Sequence, residues 1–250
     1  MVGDDSQIIP LTPREQAFNY PYTAPDGAYL MAGGTVQSLT DLSVLEGRIA
    51  VLSVGSNRAP RQLLRKFGGD AIVPVTPAIL KDCDICHVAN IAPYGAIPCS
   101  AFPSYGTSVY LNVAWLDSEQ LAKMHATESL GDAYEFICWH ADAIIHQIDV
   151  PTQPVYGYAS LIGMLPSAKG KPLALQAIKA EHRCFETASQ SAAMSQAQAL
   201  SEVGVELSQE AWVMMMQQDE AAQESYRRKI APMGIQSQIR HWDVMTDLLI

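Results

Sequence analysis

Ile49-Ala50-Val51-Leu52-Ser53-Val54-Gly55-Ser56-Asn57-Arg58 sets the reading of the whole chain. Its first six residues, five of them apolar, form a short buried-strand signal. Gly55, Ser56 and Asn57 then favour a tight turn and a helix cap. The run 59–67 follows as a short helix with Pro60 in its first turn, and Gly68-Gly69 closes it. The unit reads strand, tight loop, helix. Such a loop leaves backbone N–H groups converging on one spot, a cradle for a carboxylate or phosphate. It is also what any ordinary strand-to-helix turn looks like.

Upstream, residues 1–48 carry Pro10, Pro13, Pro21 and Pro25, the glycines Gly27, Gly33 and Gly34, and Tyr20, Tyr22 and Tyr29. They read as an extended arm lying on a body, with one short helix at 40–45. Downstream, 72–75 and 78–91 read as extended, because Pro74 and Pro77 exclude a helix there. The Pro-, Gly- and Ser-rich run 92–106 reads as a long loop. Val109, Leu111, Val113 and Trp115 then alternate with Tyr110, Asn112 and Ala114, the cleanest strand in the sequence. Asp117 or Ser118 caps the next helix, with Gln120 as the capping-box partner. That helix runs to about Glu128, and Gly131 ends the unit. Strands are expected near 133–140, 143–150 and 155–162.

From Pro172 the pattern changes. Leu173, Ala177, Ala180, Cys184 and Ala188 fall at helical spacing, and 187–200 is rich in Ala, Gln and Ser. A further helix begins near Ser208 and shows Trp212, Met215, Met216 and Tyr226, a stripe that suits a core or a covered face. Strands and helices mix without regular βαβ alternation, which places the chain in the α+β class.

The net charge of −10 argues against a nucleic-acid surface. No apolar run approaches the roughly 20 residues of a membrane helix, and 1–16 has no apolar segment suited to a signal peptide. Five cysteines without regular spacing suit a reducing compartment, so a cytoplasmic protein is expected. Cys83-Asp84-Ile85-Cys86-His87 matches the c-type haem attachment pattern, but the segment alternates like a strand and no export signal precedes it. Cys99 and His140 complete no zinc motif. No metal and no cofactor is expected.

Ser56 lacks the Gly-x-Ser-x-Gly elbow, and the six histidines give no triad order. What remains is a carboxylate. Glu128 ends the 117–128 helix just before a Gly-containing turn, with His125 three residues earlier on the same face.

Gly55-Ser56-Asn57 at the end of a strand, then Gly106-Thr107-Ser108-Val109 through Leu116, Leu121, Glu128 and Tyr134, resembles the gamma-glutamylcyclotransferase-like family. Tyr158, Gly163, Gly170, Lys171 and Pro172 resemble its late segment. The resemblance covers about residues 49–180; the arm and the extension 181–250 lie outside it. In that family the first loop reads Tyr-Gly-Ser-Asn, and here Val54 stands in place of the Tyr. The family's Leu-Asp-x-x-Glu is met by Met124-His125-Ala126-Thr127-Glu128.

The resemblance, with the alternating strand at 109–115, implies a small, mixed, barrel-like β-sheet flanked by helices, and the change of pattern at Pro172 adds extra C-terminal helices packed on it. It implies a cofactor-independent reaction on a small γ-glutamyl amide or amine. The substrate's own α-amine attacks the γ-carbonyl, closes 5-oxoproline and expels an amine. Glu128 would be the general acid/base, with Val54, Gly55, Ser56, Asn57 and Tyr134 around the substrate. Two alternatives stay open: a catalytically silent binding or assembly protein on the same scaffold, and a thiol or serine hydrolase of unrelated fold. No membrane partner is expected, and a homodimer through the C-terminal helices is left open.

Overall fold

The computed structural model describes residues 6–248. The first five residues of the expected arm and the last two of the expected extension lie outside them. In chain order the elements begin with β1 (Ser6–Gln7), α1 (Pro13–Phe18), β2 (Tyr29–Ala32) and β3 (Thr35–Ser38). Next come β4 (Ile49–Ser53), α2 (Pro60–Phe67), β5 (Val73–His87), β6 (Cys99–Leu116) and α3 (Ser118–Thr127). Strands β7 (Tyr134–Trp139), β8 (Ile144–His146), β9 (Val155–Ser160), β10 (Ala174–Leu175), β11 (Ala180–Glu181) and β12 (Thr187–Ala188) follow. The chain closes with α4 (Gln190–Ser201), α5 (Gln209–Gln218), α6 (Glu220–Ile230) and β13 (Trp242–Val244).

The class is α+β, and the sheet is mixed. Strands β5 and β6 form an antiparallel ribbon that is its spine. On the far edge of β5 sit β2, β8 and β10 in turn. On the far edge of β6 sit β4 and β11. Pairs β4–β9 and β10–β12 are parallel.

The path β1-β3-β2-β5-β6-β4-β9-β7-β13 is open, and among the described residues the sheet has 13 strands. The expected small barrel-like sheet is therefore corrected to a large open one. The added width comes from both ends of the chain: the β2–β3 hairpin extends one side and β13 the other.

The hairpin also corrects the extended arm. Tyr29 and Met31 of β2 are fully buried, and α1 is built by a Thr12 capping box with Pro13 at its start. The long loop expected at 92–106 ends at Pro98, because β6 begins at Cys99 and its residues 99–103 pair with β5. Asp82, in the left-handed region, forms the bulge that lets this ribbon continue, and its carboxylate accepts the Gly106 N–H at 2.7 Å.

The helix expected from Pro172 is absent; helix begins only at Gln190, capped by Ser189. The stretch 173–188 instead threads along the ribbon as β10, β11 and β12. Its local spacing rests on small residues that fit either structure, and pairing decides. Arg183 fastens it: Nε lies 3.0 Å from both oxygens of the fully buried Asp84, and Nη2 donates to Ile178 O at 2.7 Å.

Side-chain alternation puts one face of β6 against each side of the sheet. Val109, Leu111, Val113 and Trp115 pack with Leu80 and Ile85. Ala114 and Leu116 pack with Leu63 and Phe67 of α2 and with Leu121 and Met124 of α3. The third apolar group joins Trp212, Met216, Tyr226 and Ile230 of the C-terminal helices to Ile91, Ile97 and Leu165. The apolar stripe is thus covered by the chain itself. No helix among the described residues is long and apolar enough to cross a membrane.

Candidate functional site

Strand β4 ends at Ser53, and the chain turns at Gly55 before one 3-10 turn, Ser56–Arg58. Gly55 is there because of what approaches it. A Cβ on it would stand 2.5 Å from Tyr20 Oη and 2.9 Å from Cys99 Sγ. Tyr20, from the segment after α1, accepts the Cys99 N–H at 3.2 Å, and Tyr134 Oη donates to Cys99 O at 3.4 Å. The thiol of Cys99 donates to Val54 O at 3.6 Å. Cys99 thus links the 54–55 turn to β7.

Helix α3 delivers the carboxylate. Asp117 and Gln120 form a capping box at its start, and Glu128 is its C-cap residue. Asn57 Nδ2 donates to Glu128 Oε1 at 2.9 Å. The Lys66 ammonium, from the last turn of α2, contacts the same oxygen. Lys66 also donates to Thr127 Oγ1 at 2.6 Å and to Met124 Sδ at 3.2 Å. The side chains of Lys66 and Glu128 are only 4% and 15% exposed. Among the described residues Oε2 of Glu128 has no hydrogen-bond partner, and the buried Oδ1 of Asn57 has none either.

These groups wall a cavity of about 600 Å³. The structure brings all six expected site residues, Val54, Gly55, Ser56, Asn57, Glu128 and Tyr134, to its lining. His125 is not among them. Its ring turns away from Glu128, with Nδ1 at 2.9 Å from Tyr158 Oη and Nε2 donating to Leu248 O at 3.0 Å. The cation facing Glu128 is Lys66, from another helix.

Sequence reading missed Lys66, Tyr20, Arg65, Asn90 and Arg227, all of which line the cavity. Lys66 and Arg65 sit in the helix right after the loop, but no spacing rule marks them. Arg227 comes from α6, more than a hundred residues from the others in sequence. A single turn of α6 presents both Glu224 and Arg227 to the cavity, and that i, i+3 spacing was the available signal.

Burial raises the phenols of Tyr20, Tyr94, Tyr134 and Tyr158 above their ordinary range and pushes the Cys99 thiol up to about 12. Cys99 is therefore a thiol at neutral pH, not a thiolate nucleophile. Among the described residues no histidine lines the cavity, so Ser56 has no imidazole base beside it there. This weakens the hydrolase alternative.

Cys83, Cys86 and His87 lie within β5, all buried, with the two sulfurs in different apolar groups. His87 Nε2 donates to Ala188 O at 3.2 Å, and burial pulls its pKa down to about 4. Among the described residues no group of three His, Cys, Asp or Glu side chains is arranged to hold a metal ion.

The cavity thus offers one shielded carboxylate with an open oxygen, cations and unpaired acceptors. No protein-family model, curated protein or solved structure matches the chain.

Proposed function

We propose that the chain is a gamma-glutamylcyclotransferase-like enzyme, in fold type as well as in chemistry. The observation that carries this reading is the 2.9 Å bond between Asn57 and Glu128. It joins the loop and the carboxylate that the sequence resemblance set 71 positions apart.

The substrate is a small γ-glutamyl amide or amine. Its α-ammonium donates to the open Oε2 of Glu128 and gives up a proton there. The freed amine attacks the γ-carbonyl and forms the N–C bond of a five-membered ring. Closing a ring within one bound molecule also draws on proximity. Glu128 then hands that proton to the departing nitrogen as the C–N bond breaks, and the surplus proton of the ring nitrogen passes to the released amine, leaving 5-oxoproline and an ammonium. Backbone N–H groups of Gly55, Ser56 and Asn57 support the carboxylate or the developing oxyanion. Asn57 fixes Oε1, which leaves Oε2 aimed at the substrate. No cofactor takes part.

The Lys66 contact favours a second reading, a silent binding protein on the same scaffold. An internal ammonium already satisfies Glu128, and Val54 offers no hydroxyl. Release of 5-oxoproline from a panel of γ-glutamyl amides separates the two. Turnover lost in Glu128→Gln by about 10²–10⁴-fold, with folding intact, supports the enzyme. No release from any member of the panel supports the silent scaffold.

A further inference from the structure

The segment between β1 and β2 meets helix α2 around a second cavity of about 380 Å³, apart from the one that holds Glu128. Leu11 and Leu64 form apolar walls, and the buried ring of Tyr22 closes it. Gln62 and Arg65 line both cavities and form the partition. The arm side is fastened by its own side chains. Gln16 Nε2 donates to Leu11 O at 3.2 Å, and Tyr22 Oη donates to Gln16 O at 3.1 Å. Tyr22 holds a left-handed backbone, φ 68°, which a bulky residue keeps only where its surroundings enforce it.

Arg61 and Arg65, one helical turn apart on α2, stand exposed at the rim. Arg65 is oriented by Gln62 Oε1, 3.1 Å from its Nε, and by the Tyr94 ring, whose centroid lies 5.5 Å from its guanidinium. Among the described residues Arg61 forms no hydrogen bond and no ion pair. The carboxylate that feels its charge is Glu15, whose Oε2 is already taken by the Thr12 N–H and hydroxyl at 2.8 Å each. Among the described residues no Asp or Glu lines this cavity, in a chain whose 26 acidic residues outnumber its 16 Lys and Arg.

An apolar hollow with two guanidinium groups at its rim and no acid in its wall fits a molecule with an apolar body and an anionic head. We propose that this cavity binds an amphipathic organic anion, with its hydrocarbon body against Leu11, Tyr22 and Leu64 and its head on Arg61 and Arg65. The site is independent of the cyclotransferase reading, since Glu128 takes no part in it.

The test is calorimetry of the full chain with octanoate, octanol and acetate, which separate the head from the body. Octanoate should bind at a single site, about 10- to 100-fold more tightly than either of the others, because it alone makes both the charge-assisted and the apolar contact. Its affinity should fall as salt is raised, since the rim is open to water. Arg61→Gln should weaken octanoate by about tenfold, Arg61→Lys by less, and Arg227→Gln, at the wall of the main cavity alone, not at all. Arg61 is exposed, so these variants should melt with the wild type. Absence of octanoate binding overturns the proposal, as does equal affinity for octanoate and either of the other probes. Unchanged affinity in Arg61→Gln, or a larger loss in Arg227→Gln, puts the anion outside this cavity and overturns it too.

Discussion

The Lys66 ammonium and the Glu128 carboxylate meet directly between α2 and α3, with the lysine side chain almost sealed from water. Neither residue makes this contact by virtue of its own helix. Pro60 and the Gly68 end fix the span of α2, and the Asp117 capping box fixes α3. Packing of Leu63 and Phe67 on Leu121 and Met124 then brings the two charges together.

Removing one partner strands the other. Lys66→Met should lower stability by about 3–5 kcal/mol, the usual penalty for orphaning one member of a buried pair. Adding Glu128→Gln should recover much of that loss. Urea unfolding of the two single variants and the double variant measures the coupling; strict additivity would show that the contact contributes nothing to the fold.

Gly55→Ala tests the close approach of Tyr20. Its Cβ would fall 2.5 Å from the phenol oxygen, and overpacking of this kind costs about 1–3 kcal/mol. In a Tyr20→Phe background the nearest ring carbon lies 3.5 Å away, so the same substitution should cost less there. Equal melting shifts in the two backgrounds would contradict the geometry.

His87 should make the protein sensitive to mild acid. Its pKa falls from an unfolded value of about 6.5 to about 4 in the fold, because burial disfavours the charged ring. The unfolded chain therefore binds the proton first as pH drops. Stability fully present above about 6.5 is lost as pH falls through that window, by roughly 3 kcal/mol at most. His87→Gln keeps a donor for Ala188 O and should remove this component. Subtracting the variant's unfolding free energy from the wild type's between pH 7.5 and 4 isolates it from His146, whose pKa burial also lowers.

Arg183→Met should free the segment that Arg183 pins to the ribbon. Asp84 would be left buried without its cation, and amide exchange should accelerate in residues 176–188 before the rest of the sheet responds. Uniform acceleration across β5 and β6 would show that the pair stabilises the fold as a whole.

The strand-loop-helix unit at 49–67 and the capped helix before Glu128 were legible because each is written in local chemistry. Alternation, a Gly-Ser-Asn turn, Pro60 and the Asp117–Gln120 box need no distant partner. The stretch 173–188 was misread because small residues fit helix and strand alike, and only its partners Cys86 and Val109 settle the matter. The start of β6 at 99–103 was hidden by the Pro-, Gly- and Ser-rich sequence around it, which looks like loop until β5 is seen beside it. The expected site residues share a cavity, but its cations were not foreseen. Lys66 bears on it through tertiary packing, which leaves no trace in spacing, and Arg227 offered only its i, i+3 spacing with Glu224.

Tyr20 and Arg227 wall the same cavity from nearly opposite ends of the sequence. A ribosome emits the chain at about 5–20 residues per second, so the loop and Glu128 emerge well before α6 does. Until that helix docks, the cavity lacks one wall and any ligand in it faces open water. The cavity is therefore completed late, and a polypeptide interrupted before Tyr226 would lack both this wall and the β13 edge of the sheet.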